Sequence, residues 1–152
     1  MIYKNILLAI DAGEGSNAAV EEIIKLAKDQ NVHLRIIHVV DESIAYCGGS
    51  GFDTSLVINS LKEEGMEILD NVAKTIESKS SIKVEKSLRE LRAQQGRVAE
   101  IIVEEAKEWP ADLLVIGTHG RRGFSRLFLG SVAENIIRIA TTPVLLVRSS
   151  NV

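Results

Sequence analysis

The feature that most constrains this chain is its alternation of short apolar runs with longer segments of helical period. The runs "KNILLAI" at 4–10, "VHLRIIHVV" at 32–40, "DLLVI" at 112–116 and "PVLLVR" at 143–148 are dense in β-branched and aliphatic residues. They are continuous rather than alternating with polar residues, as strands buried on both faces must be. Between them, apolar residues recur three and four positions apart. Val20, Ile23, Ile24 and Ala27 mark a helix over 17–29, with Ser16 as its cap. Leu61, Met66, Leu69, Val72, Ala73 and Ile76 share one side of a helix over roughly 54–78. Val98, Ile101, Ile102 and Ala106 do so within Gln95 to Glu108, which Pro110 stops. Val132, Ile136, Ile137 and Ala140 give "SVAENIIRIA" its inward face. The segment "SIKVEKSLRE", with Ile82, Val84 and Lys86 alternating, reads as a less buried strand suited to a sheet edge. Residues 41–53, "DESIAYCGGSGFD", show no sustained period and read as a long, mobile loop. Strand and helix taking turns in this way predict an α/β fold: one open, mostly parallel five-strand sheet with helices on both faces, residues 1–152 forming a single domain.

Composition narrows the function. The 21 acidic and 18 basic side chains leave a net charge of −3, spread along the sequence, which argues against a general nucleic-acid surface. No apolar run approaches the roughly 20 residues that span a bilayer, and "MIYKNILLAID" reads as a first strand rather than an export signal, so no membrane partner and a cytoplasmic location are expected. The single cysteine, Cys47, can form no internal disulfide and lies in no metal-ligand spacing.

In an open parallel sheet, ligands bind beyond the carboxyl ends of the strands, where strand order reverses. Two loops begin at such ends: one at Asp11, one at Gly117. If the first and fourth strands are neighbours, Asp11 and Gly117 flank a single crevice. The stretch "GTHGRRGFSRLFLGS", 117–131, leads from the fourth strand into the fourth helix. Gly117 and Gly120 permit tight turns or close backbone approach, and Gly130 with Ser131 opens a helix whose first N–H groups lack internal partners. Those donors and the Ser131 hydroxyl suit phosphate oxygens. Equally, Ser131 can be an N-cap alone, worth about 1 kcal/mol, with the glycines shaping the turn. There is no Gly-Lys-Ser/Thr of a P-loop, and no glycine fingerprint of a dinucleotide fold after the first strand.

Gly117, Thr118, His119, Gly120, nine residues from Arg121 to Leu129, then Gly130 and Ser131 match the glycine motif of the universal stress protein family without a slip. "ILLAID", "HVVD", "GRVAEII", "ADLLVIGTHG", "LGSVAENII" and "TPVLLVR" extend the resemblance over nearly the whole chain. The resemblance implies strand order 3-2-1-4-5 and an ATP site, commonly with Mg2+ or Mn2+ held mainly by the phosphates. It places Asp11 and Gly117 at the ribose and the Val39 backbone at the adenine edge. It places Gly120, Gly130 and Ser131 at the phosphates, with Ala9 and Val132 completing the site. It also implies a homodimer through the fifth strand, 143–148, and a regulatory role in stress response through a protein partner.

Arg121, Arg122 and Arg126 stand in the spacer with no acid among them. They are read either as a phosphate clamp, with Arg121 and Arg122 favoured, or as a solvated face. His119 has no carboxylate near it in sequence to orient it as a base, and His38 reads as a packed or hydrogen-bonded histidine. Asp11 alone is a thin basis for hydrolysis, so no catalytic residue is assigned and binding with at most weak ATP turnover is favoured. The alternatives are a slow ATPase or phosphoryl or nucleotidyl transferase, and a nucleotide-free dimeric scaffold. In the leading reading, bound nucleotide biases the segments at 41–53 and 118–129 and through them a partner.

Overall fold

A computed structural model describes residues 3–11, 14–48, 53–92, 95–118 and 129–149. In chain order these form β1 (Asn5–Ala9), α1 (Glu14–Leu26), β2 (His33–Asp41), a short 3-10 helix (Glu42–Gly48), α2 (Thr54–Lys79), β3 (Val84–Leu91), α3 (Val98–Glu108), β4 (Leu113–Gly117), α4 (Ser131–Ile139) and β5 (Val144–Val147). The sheet has five parallel strands in the order β3-β2-β1-β4-β5. Fold class and strand order are therefore as the sequence and its resemblance implied.

Successive strand residues feed two cores, because side chains alternate faces with period 2. Ile6, Leu8 and Ile10 join Leu34, Ile36, Leu113 and Val115 beneath α1 and α2. Leu7 and Ala9 join Ile37, Leu114 and Ile116 beneath α3 and α4. β1 is thus covered on both faces and paired on both edges, with Ile6, Leu7 and Leu8 wholly shielded. Its lower end is tied to β4 by Asp112, whose carboxylate accepts the Lys4 amide at 2.9 and 3.1 Å and the Asn5 amide at 3.1 Å.

Where β3 meets α3, charge replaces apolar packing. Glu105, buried on α3, accepts from the Ser87 hydroxyl and from Arg89 at 3.2 Å. Arg35 of β2 lies 3.8 Å from the same carboxylate, pairs with Glu85 at 2.8 Å, and stacks 4.7 Å above the Trp109 ring. Ser87 and Arg89 alternate toward α3, and Lys86 turns away to Asp70 at 2.7 Å. Lys86 thus shares the α2 side with Val84, in keeping with the expected alternation, as an exposed member of an ion pair. β3 begins at Val84, after a buried Ile82, and occupies the sheet edge as expected.

Other expectations need correction. Residues 41–53 are not one long loop: Asp41 still belongs to β2, Glu42–Gly48 forms the 3-10 helix, and Asp53 caps α2 by accepting the Ser55 amide. Residues 49–52 lie outside the described set. α3 starts at Val98, not Gln95. On α2 the inward position is Gly65, and Met66 is exposed. On α4, Ala133 is buried and Ile137 is 47% exposed.

Two outcomes follow from local geometry. Gly96, just before α3, has φ +110, and a Cβ there would stand 2.5 Å from the Glu100 carboxylate. Gly96→Ala should destabilise the protein by more than about 1 kcal/mol in urea denaturation. Lys62 lies 2.9 Å from Glu90, and this hydrogen bond, outweighing burial, holds the Glu90 carboxyl below its ordinary 4.5. A depressed carboxylate contributes stability above its unfolded value and loses it as pH falls through the lower folded one. Lys62→Met should move the Glu90 NMR titration midpoint upward, with a stability cost above that pH of only about 0.2–1 kcal/mol for so exposed a pair.

Candidate functional site

The two halves of the sheet diverge between β1 and β4. β1 turns one way, through α1, to β2, while β4 lies on its other side with Ala9 opposite both Ile37 and Ile116. Beyond that row β1 leaves the sheet, whereas β2 continues to Asp41 beside β3 and β4 reaches Gly117 beside β5. Asp11 follows directly where β1 departs, and Gly117 ends β4 beside it. The conditional expectation that β1 and β4 are neighbours is met.

Backbone parity decides what the walls present. Ile37 accepts from Ile10 on the β1 side, and since backbone groups alternate sides along a strand, those of Val39 are aimed at the space β1 vacates. On β4, Leu114 and Thr118 donate toward the β5 side, at Pro143 and Val147, so the Gly117 backbone faces the β1 side. Below lies an apolar cluster that includes buried Ala9 with partly buried Val39 and Val132. Ala9, Asp11, Val39, Gly117 and Val132 thus lie toward the carboxyl end of the sheet.

Asp11 is held. The Ser16 hydroxyl accepts the Asp11 amide at 2.8 Å and donates to the Asp11 carboxylate at 3.0 Å. Ser16 was expected to cap α1. Because the helix already begins at Glu14, Ser16 lies inside it, is 6% exposed, and its side chain instead reaches back to the end of β1. A spacing of five from aspartate to serine, "DAGEGS", is the one sequence signal that could have suggested this. The His38 ring, on β2, bonds the Ile10 carbonyl through Nδ1 at 3.0 Å, which bears out its reading as a hydrogen-bonded histidine.

At the other wall, the segment between β4 and α4 is closed at its base. Gly130 donates to the carbonyl of buried Thr118 at 2.7 Å, and Thr118 donates to Val147 at 3.0 Å. Gly130 is the N-cap of α4 with φ −61 and ψ 153, and its carbonyl accepts from Glu134 at 3.0 Å. Its N–H, expected at a phosphate, is therefore directed to Thr118. The amides of Ser131, Val132 and Ala133 open the helix, whose first N–H groups have no acceptor within it. No side-chain cap bond is made by Gly130. His119, Gly120, Arg121, Arg122 and Arg126 lie outside the described residues. Among the described residues no three His, Cys, Asp or Glu side chains cluster as a metal site, and no helix is long and apolar enough to cross a membrane.

Comparison with known proteins gives a coherent picture. The model of the universal stress protein family matches residues 2–148. The chain is 37% identical over 147 residues to Universal stress protein MJ0531 of Methanocaldococcus jannaschii, covering 97% of this chain and 83% of that one. Among solved structures, hypothetical protein MJ0577 superposes with a TM-score of 0.83 at 26% identity over 100% of both chains. A universal stress protein in complex with cAMP superposes with a TM-score of 0.68 at 24% identity, over 99% of this chain and 100% of that one.

The paired bonds of Ser16 make a direct prediction. Ser16→Ala removes both the acceptor for the Asp11 amide and the donor to its carboxylate, and should cost about 1–3 kcal/mol in urea denaturation.

Proposed function

Since the chain belongs to the universal stress protein family, we propose that it binds an adenine nucleotide, ATP with Mg2+ or Mn2+, across the β1–β4 crevice and acts as a nucleotide-dependent regulator in stress response. The observation that supports this is the pairing of β1 with β4, which brings the end of β1, followed by Asp11, beside the end of β4 at Gly117, with Ala9, Val39 and Val132 in one apolar cluster. Supporting it, a protein of similar fold is a complex with cAMP.

In this reading adenine rests against the Val39 edge, where an extended strand offers both an N–H and a carbonyl. The ribose lies between Asp11 and Gly117, and a carboxylate is suited to accept from its hydroxyls. The phosphates run to the start of α4, where the Ser131 and Val132 amides, the Ser131 hydroxyl and the helix dipole favour negative charge. Gly130 fixes that terminus by its bond to Thr118 and keeps the approach free of a side chain. Gly120, carried over from the motif, and Arg121 and Arg122, the favoured clamp of the spacer between the glycines, complete the phosphate contacts. The donor set fits a metal that rides on the ligand: Asp11 is a single carboxylate, and phosphate oxygens with water satisfy a hard cation. Such an ion supplies charge neutralisation at the phosphates.

β5 ends the sheet and none of its residues from Val144 to Val147 is fully buried, in contrast to β1 and β4. An apolar edge in this position needs cover. A second copy pairing or packing there provides it, and sedimentation at micromolar concentration should then give twice the chain mass.

Two variants test the nucleotide site by titration with Mg-ATP. Ser131→Ala should weaken binding by roughly 1–2 kcal/mol. The φ and ψ of Gly130 are open to any residue, so Gly130→Val should cost only about 1 kcal/mol in urea denaturation, as a poorer N-cap, while blocking the phosphates and abolishing measurable binding. Wild-type affinity retained in Gly130→Val would remove the phosphates from this end of α4.

A further inference from the structure

The Ile10 carbonyl and the Asp11 amide belong to the same peptide unit. That unit is rigid and planar, with its oxygen and hydrogen on opposite edges. His38 of β2 grips the oxygen at 3.0 Å and Ser16 of α1 grips the hydrogen at 2.8 Å. One peptide plane is therefore clamped from two different elements just where β1 leaves the sheet. Ser16 then takes the carboxylate of the next side chain as well, at 3.0 Å. Because the partner of the ring is a carbonyl, Nδ1 must carry the hydrogen.

The ring has little freedom to shift. Gly65 of α2 lies so close that a Cβ on it would stand 2.9 Å from His38 Cδ2 and 2.8 Å from Leu88 Cδ1. Leu88 is the residue paired with His38 across β2 and β3. The imidazole is thus seated between a bare helix backbone on one side and the Ile10 carbonyl on the other. This explains why the inward position of α2 is a glycine while the adjacent methionine is exposed.

We propose that His38, seated by Gly65, is a positioning residue that sets Asp11 for the ribose of the nucleotide, acting with Ser16 through the peptide between residues 10 and 11. This rests on the nucleotide reading given above. His38 bonds the Ile10 carbonyl and Gly65 packs against the His38 ring, so their influence on ribose recognition is exerted through that peptide. Asparagine at 38 can place an amide N–H near the position of Nδ1, whereas leucine fills similar space without a donor.

The experiment has two arms on His38→Leu, His38→Asn and Gly65→Ala, each with its urea stability measured alongside. The first needs no nucleotide: hydrogen exchange at the Asp11 amide, followed by NMR. His38→Leu and Gly65→Ala should speed it by roughly tenfold relative to residues in the middle of β1, and His38→Asn should restore most of the protection. Unchanged exchange in His38→Leu and Gly65→Ala would overturn the clamp.

The second arm compares affinity for ATP and for 2′,3′-dideoxy-ATP, which lacks both ribose hydroxyls. Wild type should prefer ATP. His38→Leu and Gly65→Ala should lose most of that preference by weakening ATP roughly tenfold while leaving the dideoxy nucleotide little affected, and His38→Asn should regain it. A merely structural role would weaken both nucleotides alike and leave the ratio unmoved, which would overturn the proposal. Wild type binding neither nucleotide would defeat the nucleotide reading and with it the ribose role, while the exchange arm would still decide the clamp.

Discussion

The pairing of β1 with β4 is the constraint on which the rest depends. Strand β1 has no solvent edge and no solvent face, so its sequence must be apolar throughout, and "ILLA" meets that requirement with side chains feeding both cores in turn. Burial of this kind is worth on the order of 25 cal/mol per Å2 of apolar surface and is the main favourable term in the fold. The same pairing fixes the site. Because β2 and β4 both outrun β1, the center of the sheet ends early, and polar groups at that end face an opening rather than another strand.

The ends of the sheet follow different physics. At β3 the partner helix is held by a buried carboxylate with two arginines and a serine hydroxyl, not by aliphatic contact. A buried charge of this kind is tolerable only when its partners are present, since removing one leaves an uncompensated ion. The arrangement gives little net stabilisation over an apolar one but demands a defined register of β3 against β2 and α3. At β5 the residues stay half-buried and aliphatic, which is the pattern of a surface awaiting cover.

How much of this was legible in the sequence differed by the origin of each feature. Strands such as "DLLVI" and helices with a three-and-four spacing announce themselves because burial on two faces, or on one stripe, leaves a direct trace in residue type. The crevice residues Asp11 and Gly117 were placed by topology alone once β1 and β4 were taken as neighbours, while Val39 needed the family motif. What did not show was set by contacts between elements. Gly65 and Met66 differ by one position on a 26-residue helix, and the periodicity favours the larger apolar residue. The ring of His38 arriving from β2, with the Leu88 side chain of β3, makes the glycine the inward one. On α4 Ala133 and Ile136 are buried, Val132 and Ala140 only partly, and Ile137 turns outward. The 3-10 helix over Glu42–Gly48 has too few residues for a period to appear.

Ser16 and His38 show why a strand end can be a precise instrument while the strand itself is only scaffold. Within β1 each peptide is fixed by its ladder partners, and no side chain is needed to orient it. At Asp11 the ladder stops: the amide that would have continued it turns to the Ser16 hydroxyl, and the carbonyl before it is met by an imidazole. Two side chains thus take over the task of two missing strand neighbours. A carboxylate leaving a sheet without them would sample several backbone conformations, and ordering it on binding would cost about 1–2 kcal/mol per residue. Holding Asp11 in advance removes that cost from the binding proposed above. It also ties Asp11 to α1 and, through His38, to α2, the two helices on the far face from α4.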